Sequence, residues 1–183
     1  MAKTKYLPCL LEVFRQYGYD GATLAKISQA TGLGKASLYH HFPKGKEEMV
    51  TTVLDFLEDW MQQNILTALK TDGSVLIKIE RMCDRISEVY ENGQRPCLFA
   101  ILLMGSARDV FHDRVKNIFC KWIDEMTQTL HESGLNLKLA RERAEDVAIN
   151  IQGALILTDG LDDVTLFQRI IRELPQKICG DRN

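Results

Sequence analysis

Residues 23–48 read TLAKISQATGLGKASLYHHFPKGKEE, and this stretch decides the fold. Thr23 is a residue type that caps helix starts, and the apolar residues after it repeat at the spacing of one buried helix face. Gly32, Leu33 and Gly34 then predict a tight turn, because glycine accepts a left-handed backbone. The next helix, Lys35–His41, has one inward apolar residue, Leu38. Two short helices joined by a glycine-containing turn predict a helix-turn-helix.

The outward residues of this second helix are of types that contact duplex DNA. Lys35 can reach a guanine edge or a phosphate, Ala36 admits a thymine methyl, and Ser37 offers a hydroxyl. Amides at a helix start attract phosphate. The predicted DNA-binding residues are Thr23, Lys35, Ala36, Ser37, Tyr39, His40, His41 and Lys46. Two alternatives stay open: Thr23 could be a cap only, and His41 could equally pack against the fourth helix.

The rest of the chain also reads as helix, so we expect an all-α protein of about nine helices. An N-terminal three-helix domain with the helix-turn-helix would occupy residues 1–48, and a helical domain for effector binding and dimerisation would occupy residues 49–183. The chain has only four prolines and no strictly alternating run of a strand's length. One apolar helix is expected at 97–111 with Gly105 inside it, and the last helix is expected to end before Pro175.

Charge is distributed unevenly along the chain. The whole sequence carries a formal charge of -2, but residues 1–50 hold seven Lys or Arg against four Asp or Glu, a net charge of +3. A basic N-terminal part on an acidic remainder favours contact with a polyanion.

Composition also argues against several classes of protein. No uncharged apolar run approaches the ~20 residues that a membrane span needs, and Glu12 and Arg15 interrupt the N-terminal apolar run, so we expect a cytoplasmic protein without a signal peptide. The five cysteines are scattered and form no CxxC, which predicts reduced thiols and no zinc site. No HExxH, GxSxG or phosphate loop is present. We therefore expect no enzyme activity, cofactor or metal.

Specific binding by so short a recognition helix calls for two copies on a two-fold axis. The predicted eighth helix, roughly Lys138 to Thr158, is apolar on more than one side, and the ninth adds Leu166, Ile170 and Leu174. This pattern favours a homodimer, although burial in a monomer's core would look the same. The predicted interface residues are Val147, Ile151, Ala154, Leu155, Leu166 and Ile170. Large apolar side chains of the middle helices are typical both of ligand pockets and of ordinary cores. The predicted ligand-binding residues are Trp60, Phe99, Phe119 and Trp122.

Residues 18–50, GYDGATLAKISQATGLGKASLYHHFPKGKEEMV, resemble the N-terminal domain of the TetR/AcrR family of transcriptional regulators. The matching features are Thr23, Ile27, the Gly32–Leu33 turn and the run Leu38–Phe42. The extra residue in FPKGKEE resembles the LmrA/YxaF branch, as does RPCLFAILLM at 95–104. Gly34 departs from the family, which often has Ser or Thr there, so no hydroxyl contact is expected from that position. The resemblance implies that the eighth and ninth helices form a four-helix interface with their copies.

These observations together predict a ligand-responsive transcriptional regulator. We expect a repressor that binds a palindromic operator in double-stranded DNA as a homodimer, without contact with a membrane, and that a small, largely apolar effector releases. Two alternatives remain. One is a thiol-based redox-sensing regulator acting through Cys97, which follows Pro96 at a predicted helix start where a thiolate would be favoured. The other is a helical interaction protein that no longer binds DNA.

Overall fold

The computed structural model describes residues 3–180, and within that range the chain forms nine α-helices and no strand. The all-α prediction is confirmed. A 3₁₀ turn at Thr4–Tyr6 precedes the first helix, and another lies at Glu91–Gly93. The helices are α1 (Leu7–Gly21), α2 (Leu24–Thr31), α3 (Lys35–His41), α4 (Lys46–Trp60, continued by a π-helical stretch at Met61–Leu66 and an α-helical turn at Thr67–Lys70), α5 (Val75–Val89), α6 (Leu98–Met104), α7 (Arg108–Glu132), α8 (Leu137–Leu161) and α9 (Thr165–Cys179).

The starts of three helices are capped by the side chain of the residue before them. Thr23 before α2, Ser74 before α5 and Asn136 before α8 each accept a hydrogen bond from the backbone N–H three residues further on. Such caps satisfy amides that have no partner inside the helix. Gly34 occupies the same position before α3 and makes no side-chain bond. The cap predicted at Thr23 is therefore confirmed, and Ser74 and Asn136 act in the same way.

The first of two compact units consists of residues 3–60 and Leu98–Val115. Its core contains Phe14 of α1, Ile27 of α2, Leu38 of α3 and Val53 of α4, all fully buried. Leu102 of α6 is also fully buried, and α6 packs along α1. Leu38 is thus the residue that fixes α3 against the rest of this unit.

The second compact unit consists of residues 61–97 and 116–180. Its largest helix contacts are those of α9 with α8 and with α5. Phe167 of α9, Val147 of α8 and Ile79 of α5 are fully buried. Phe167 also packs tightly against the 3₁₀ turn at Glu91–Gly93. A Cβ on Gly93 would lie only 2.9 Å from the Phe167 Cβ.

The compact units and the predicted domains divide the chain at different places. Residues 49–60 and Leu98–Val115 lie in the first unit, beyond the predicted range of residues 1–48. The predicted ranges start at residue 1 and end at residue 183, so their outer ends lie outside the described residues. The assignment of DNA binding to 1–48, and of effector binding and dimerisation to 49–183, stays a prediction.

Two local predictions were wrong. The helix expected at 97–111 is divided at Gly105 into α6 and α7, since glycine is a poor residue for a helix interior. In the turn between them the backbone N–H and hydroxyl of Ser106 donate hydrogen bonds to the carboxylate of Asp20. The last helix continues through Pro175 to Cys179. Proline removes one helical N–H donor, but Pro175 itself and Ile178 beyond it are buried, and burial of apolar side chains offsets that loss.

Candidate nucleic-acid interface

The turn between α2 and α3 is held by its own polar side chains. The Thr31 hydroxyl donates to the Ile27 carbonyl oxygen at 2.7 Å, and the Ser28 hydroxyl donates to the carbonyl oxygen of Leu33. Gly32 has φ +71°, the left-handed conformation that a side chain would disfavour. The Ser28 bond joins α2 to the residue just before the Gly34 start of α3, whereas the Thr31 bond lies within α2.

The buried position of Leu38 decides which side of α3 faces outward. At about 100° per residue, positions 36 and 40 each lie about 200° around the helix from Leu38. Ala36 and His40 are both exposed, as this geometry requires. They form the centre of the outward face. Lys35 and Tyr39 lie on one flank of that face, and Ser37 lies on the other.

Six of the eight predicted DNA-binding residues are exposed. Thr23, Lys35, Ala36, Ser37, Tyr39 and His40 present their side chains at the surface of the first unit. Thr23 also serves as the cap of α2, accepting a bond from the Lys26 backbone N–H at 3.3 Å. The structure therefore brings the α3 residues together on one helix and leaves them accessible to a ligand.

The other two predicted residues are held inside the unit. Lys46 Nζ donates to the carbonyl oxygen of Tyr19 at 2.7 Å and lies 4.5 Å from the centroid of the Tyr19 ring. The His41 ring is half-buried, with its centroid 5.2 Å from that of Tyr6. Lys46 thus fastens the start of α4 to the end of α1, and His41 packs against the turn before α1.

Several basic side chains of the unit have intramolecular partners that the sequence did not reveal. Lys26 Nζ lies 3.6 Å from the centroid of the Tyr17 ring and donates to the Gly21 carbonyl oxygen at 3.2 Å. Lys3 forms an ion pair with Glu48. The hydrogen bond from the Lys3 ammonium and the one from the Lys44 backbone N–H hold the pKa of the Glu48 carboxyl below its usual value. The charge of these residues was visible in the sequence, but their partners are set by tertiary structure.

Two exposed lysines near this surface were absent from the predicted set. Lys5 lies in the 3₁₀ turn before α1, and Lys44 lies just before α4. The charge excess of residues 1–50 was the signal that could have identified them, because it counts every basic residue and not only those of the motif.

Profiles of two known families match separate parts of the chain. The profile described as bacterial regulatory proteins, tetR family, matches residues 10–53, and that of the LmrA/YxaF-like transcriptional regulator C-terminal domain matches residues 76–173. The chain belongs to the TetR family, in its LmrA/YxaF-like branch. It is accordingly a DNA-binding transcriptional regulator and not an enzyme, and the resemblance seen in the sequence is confirmed.

Individual TetR-family proteins are similar over different parts of the chain. The HTH-type transcriptional regulator LmrA of Bacillus subtilis is 25% identical over 165 residues, which cover 86% of each chain. IcaR of Staphylococcus aureus, a negative transcriptional regulator of the biofilm operon icaADBC, is 35% identical over 65 residues, 34% of this chain and 35% of IcaR. A TetR regulator structure from Legionella pneumophila matches with a TM-score of 0.81 at 20% identity, covering 97% of both chains.

The four predicted ligand-binding residues of this TetR-family chain lie in different surroundings. Trp60 is half-buried at the end of the first part of α4, and Phe99 is buried in α6; both belong to the first unit. In the second unit Phe119 is half-buried, and buried Trp122 donates from Nε1 to the Met82 sulfur at 3.3 Å. Two open depressions in that unit, of about 420 and 440 Å³, are lined by other residues. Effector binding by these four residues stays a prediction.

The predicted dimer residues divide into buried and half-exposed positions. Val147, Ile151, Ala154 and Leu155 face the core of their own unit and are almost fully buried there. A side chain already buried in its own subunit has little surface left to cover with a second copy. Leu166 and Ile170 of α9 are half-exposed. The exposed side of α8 instead carries Ile149, Ile156, Leu157 and Leu161, between 52% and 67% exposed.

The cysteines form no disulfide within residues 3–180. Cys97 is buried, and its sulfur accepts a hydrogen bond from the Tyr90 hydroxyl at 3.3 Å. Burial raises the pKa of the Cys83 thiol to about 12, with the charges of Asp84 and Glu80 adding to the shift.

Within residues 3–180 no group of three or more His, Cys, Asp and Glu side chains could hold a metal ion. None of the helices described is long and apolar enough to span a bilayer.

Proposed function

We propose that this chain is a homodimeric repressor that binds a palindromic DNA operator through α3 and leaves it when a small, largely apolar effector binds. The observation that carries the proposal is the outward side of α3, which presents five exposed side chains while the buried Leu38 holds the helix against the first unit. A repressor is supported by the similarity of 65 residues of the chain to IcaR, whose name records negative regulation. We place this activity in the cytoplasm.

The positions on α3 assign different tasks to its side chains. Ala36 and His40 point away from the unit and would lie deepest in a major groove, against the base edges. Lys35 stands at the N-terminal end of the helix and would reach a guanine edge or a phosphate. Tyr39 and Ser37 flank the face and would donate hydroxyl hydrogen bonds to phosphate oxygens, which position the helix without reading sequence.

A homodimer is supported by the exposed side of α8. We call Ile149, Gly153, Ile156, Leu157 and Gly160 the α8 stripe, because at 3.6 residues per turn they share one side of the helix. A Cβ added at Gly153 or Gly160 would meet no atom within 4 Å. Two open glycines between exposed apolar side chains let another helix approach closely. Leu161, Leu166 and Ile170 would border this contact, and the buried residues Val147, Ile151, Ala154 and Leu155 would support it from beneath.

Release by an effector requires a difference in affinity. A ligand can shift the protein away from DNA only if it binds the DNA-incompetent state more tightly than the competent one. The side chains that we propose for effector binding are aromatic, Trp60 and Phe99 in the first unit and Phe119 and Trp122 in the second, each pair considered within its own unit. Substitution of Phe119 by Ala should then weaken effector-induced release while leaving operator affinity in the absence of effector unchanged.

Selection of bound sequences from random duplex DNA tests the proposal. We expect a palindrome whose half-sites lie about one helical turn, roughly 34 Å, apart or slightly more. Affinity for the selected duplex should fall steeply as salt rises, because phosphate contacts release counterions. A single unrepeated site would contradict binding as a dimer. Failure to enrich any sequence, with weak binding that salt does not change, would contradict DNA binding through α3.

A further inference from the structure

We propose that Asp20 is a positioning residue for DNA binding, acting through its contact with Ser106 in the turn between α6 and α7. The inference rests on the proposed function, since it concerns how α2 and α3 are held for operator binding. It enlarges the DNA-binding machinery beyond the helix-turn-helix itself, to a turn that lies more than eighty residues away in sequence.

The last three residues of α1 are separated from the rest of the helix by a break at Gly18. Gly18 has φ +63° and ψ −176°, so the helical backbone breaks there and Tyr19, Asp20 and Gly21 leave in a new direction. We call these three residues the α1 corner. Gly18 is suited to the break because it has no side chain; a Cβ there would contact Ile101 of α6 at 3.5 Å. The orientation of the α1 corner is therefore set by its tertiary contacts.

Three contacts of the α1 corner join it to three different elements. The Gly21 carbonyl oxygen accepts a hydrogen bond from the Lys26 ammonium of α2 at 3.2 Å. The Tyr19 carbonyl oxygen accepts one from the Lys46 ammonium of α4 at 2.7 Å. The third contact is made by Asp20, whose carboxylate accepts both the backbone N–H of Ser106, at 3.1 Å, and its hydroxyl. Only two residues separate Asp20 from the cap of α2 at Thr23.

The turn between α6 and α7 lies directly against this carboxylate, in a contact that is exposed at the surface. A Cβ on Gly105 would lie 2.8 Å from an Asp20 carboxylate oxygen, so the approach requires glycine. The Tyr19 ring also meets Phe111 of α7 edge-on, with the centroids 6.1 Å apart. The two bonds from Ser106 hold the pKa of the Asp20 carboxyl below its usual value. The turn thus holds the α1 corner, and through it the starts of α2 and α4.

The test compares Asp20→Asn and Ser106→Ala with a matched control, Asp163→Asn. Asp163 makes the same kind of contact in the second unit, where its carboxylate accepts the backbone N–H of Thr165 at 3.0 Å and its hydroxyl at 2.6 Å. Operator affinity is measured at fixed salt and well below the unfolding temperature of each variant, using the duplex selected by the wild-type protein. We expect Asp20→Asn and Ser106→Ala to weaken binding on the order of tenfold, the size typical of coupling between sites, and Asp163→Asn to bind like wild type.

The direction of the effect separates positioning from simple electrostatics. Removing a negative charge near DNA would by itself strengthen binding, so a loss of affinity in Asp20→Asn must come from geometry. Gly105→Ala tests the same point without changing any charge, since its methyl group displaces the carboxylate. The salt dependence should keep the wild-type slope, because no phosphate contact is removed, and the double variant Asp20→Asn/Ser106→Ala should lose no more than either single variant.

Each outcome has one meaning. If the wild-type protein selects a duplex and both Asp20→Asn and Ser106→Ala bind it like wild type, with only the unfolding temperature lowered, the contact is merely structural and the inference is overturned. If Asp163→Asn loses affinity to the same extent, the effect reflects general destabilisation and the inference is likewise overturned. If the wild-type protein selects no duplex, the proposed function itself fails.

Discussion

Substitution of Ile156 by Ala should weaken the proposed dimer while leaving each subunit folded. Ile156 is 52% exposed in the subunit, so about half of its surface remains to be buried by a second copy. Full burial of such a side chain contributes about 1.5–3 kcal/mol, and half of that is about 1 kcal/mol per subunit. A two-fold interface contains the residue twice, which gives about 2 kcal/mol per dimer. At 1.4 kcal/mol per factor of ten, the dimer dissociation constant should rise about thirtyfold.

Leu137→Ala provides the control for this measurement. Leu137 belongs to the same helix, α8, and is 59% exposed, but at 3.6 residues per turn it lies on the side opposite the α8 stripe. Dissociation constants are measured by sedimentation of fluorescently labelled protein over a range of concentrations, and circular dichroism checks the fold of each variant. A dimer that tolerates Ile156→Ala within a factor of two, or that both substitutions weaken equally, would refute the assignment of the α8 stripe to the interface.

Three further substitutions test other parts of the structure. Gly93→Ala should destabilise the protein by about 2 kcal/mol more than Gly134→Ala in urea unfolding, because both glycines have positive φ but only at Gly93 would the Cβ clash with Phe167. His40→Ala should broaden the base preference in selection from random duplexes, whereas substitution of a phosphate-contacting residue would weaken binding to all sequences alike. Cys83→Ala should flatten the fall in stability between about pH 9 and 12: the folded thiol keeps its proton up to about pH 12, the unfolded thiol loses it near 9, and stability is therefore lost as pH rises through this window.

Local signals predicted the helix-turn-helix because its geometry depends on neighbouring residues. Thr23 caps α2, Gly32 is left-handed, and Leu38 is buried, each as its residue type and spacing indicated. Each of these features depends on residues within one or two helical turns, so it can be predicted from a single sequence. The TetR-family profile matches residues 10–53, which include this stretch.

The tertiary contact partners of individual side chains could not be predicted from the sequence. Lys46 was predicted to contact phosphate, which stays a prediction; its ammonium is bonded to the Tyr19 carbonyl oxygen, one of the last carbonyls of α1, which have no partner within the helix. The turn that divides the predicted helix at Gly105 is likewise bonded to Asp20, a residue more than eighty positions earlier. Contacts of this kind depend on how helices pack, and periodicity does not encode them.

Helical periodicity also could not tell the two apolar sides of α8 apart. Val147 and Ile151 face the core of their own unit, whereas Ile149 and Ile156 are exposed. All four residues are hydrophobic and occur within ten positions, so the pattern predicts an apolar helix without saying which side a second chain would cover. Only the packing of α8 against α9 separates them.

The lysines held against aromatic rings have a consequence for how quickly DNA is found. Lys26 and Lys46 keep their charge at a fixed place, since each ammonium is fastened to a ring and a carbonyl oxygen. A charge that keeps its place acts over roughly 8 Å of physiological salt solution. In the proposed operator binding, such charges would accelerate encounters with any duplex and let the protein slide along it before recognition begins. The search for the operator and the reading of its bases would then depend on different residues of the same small unit.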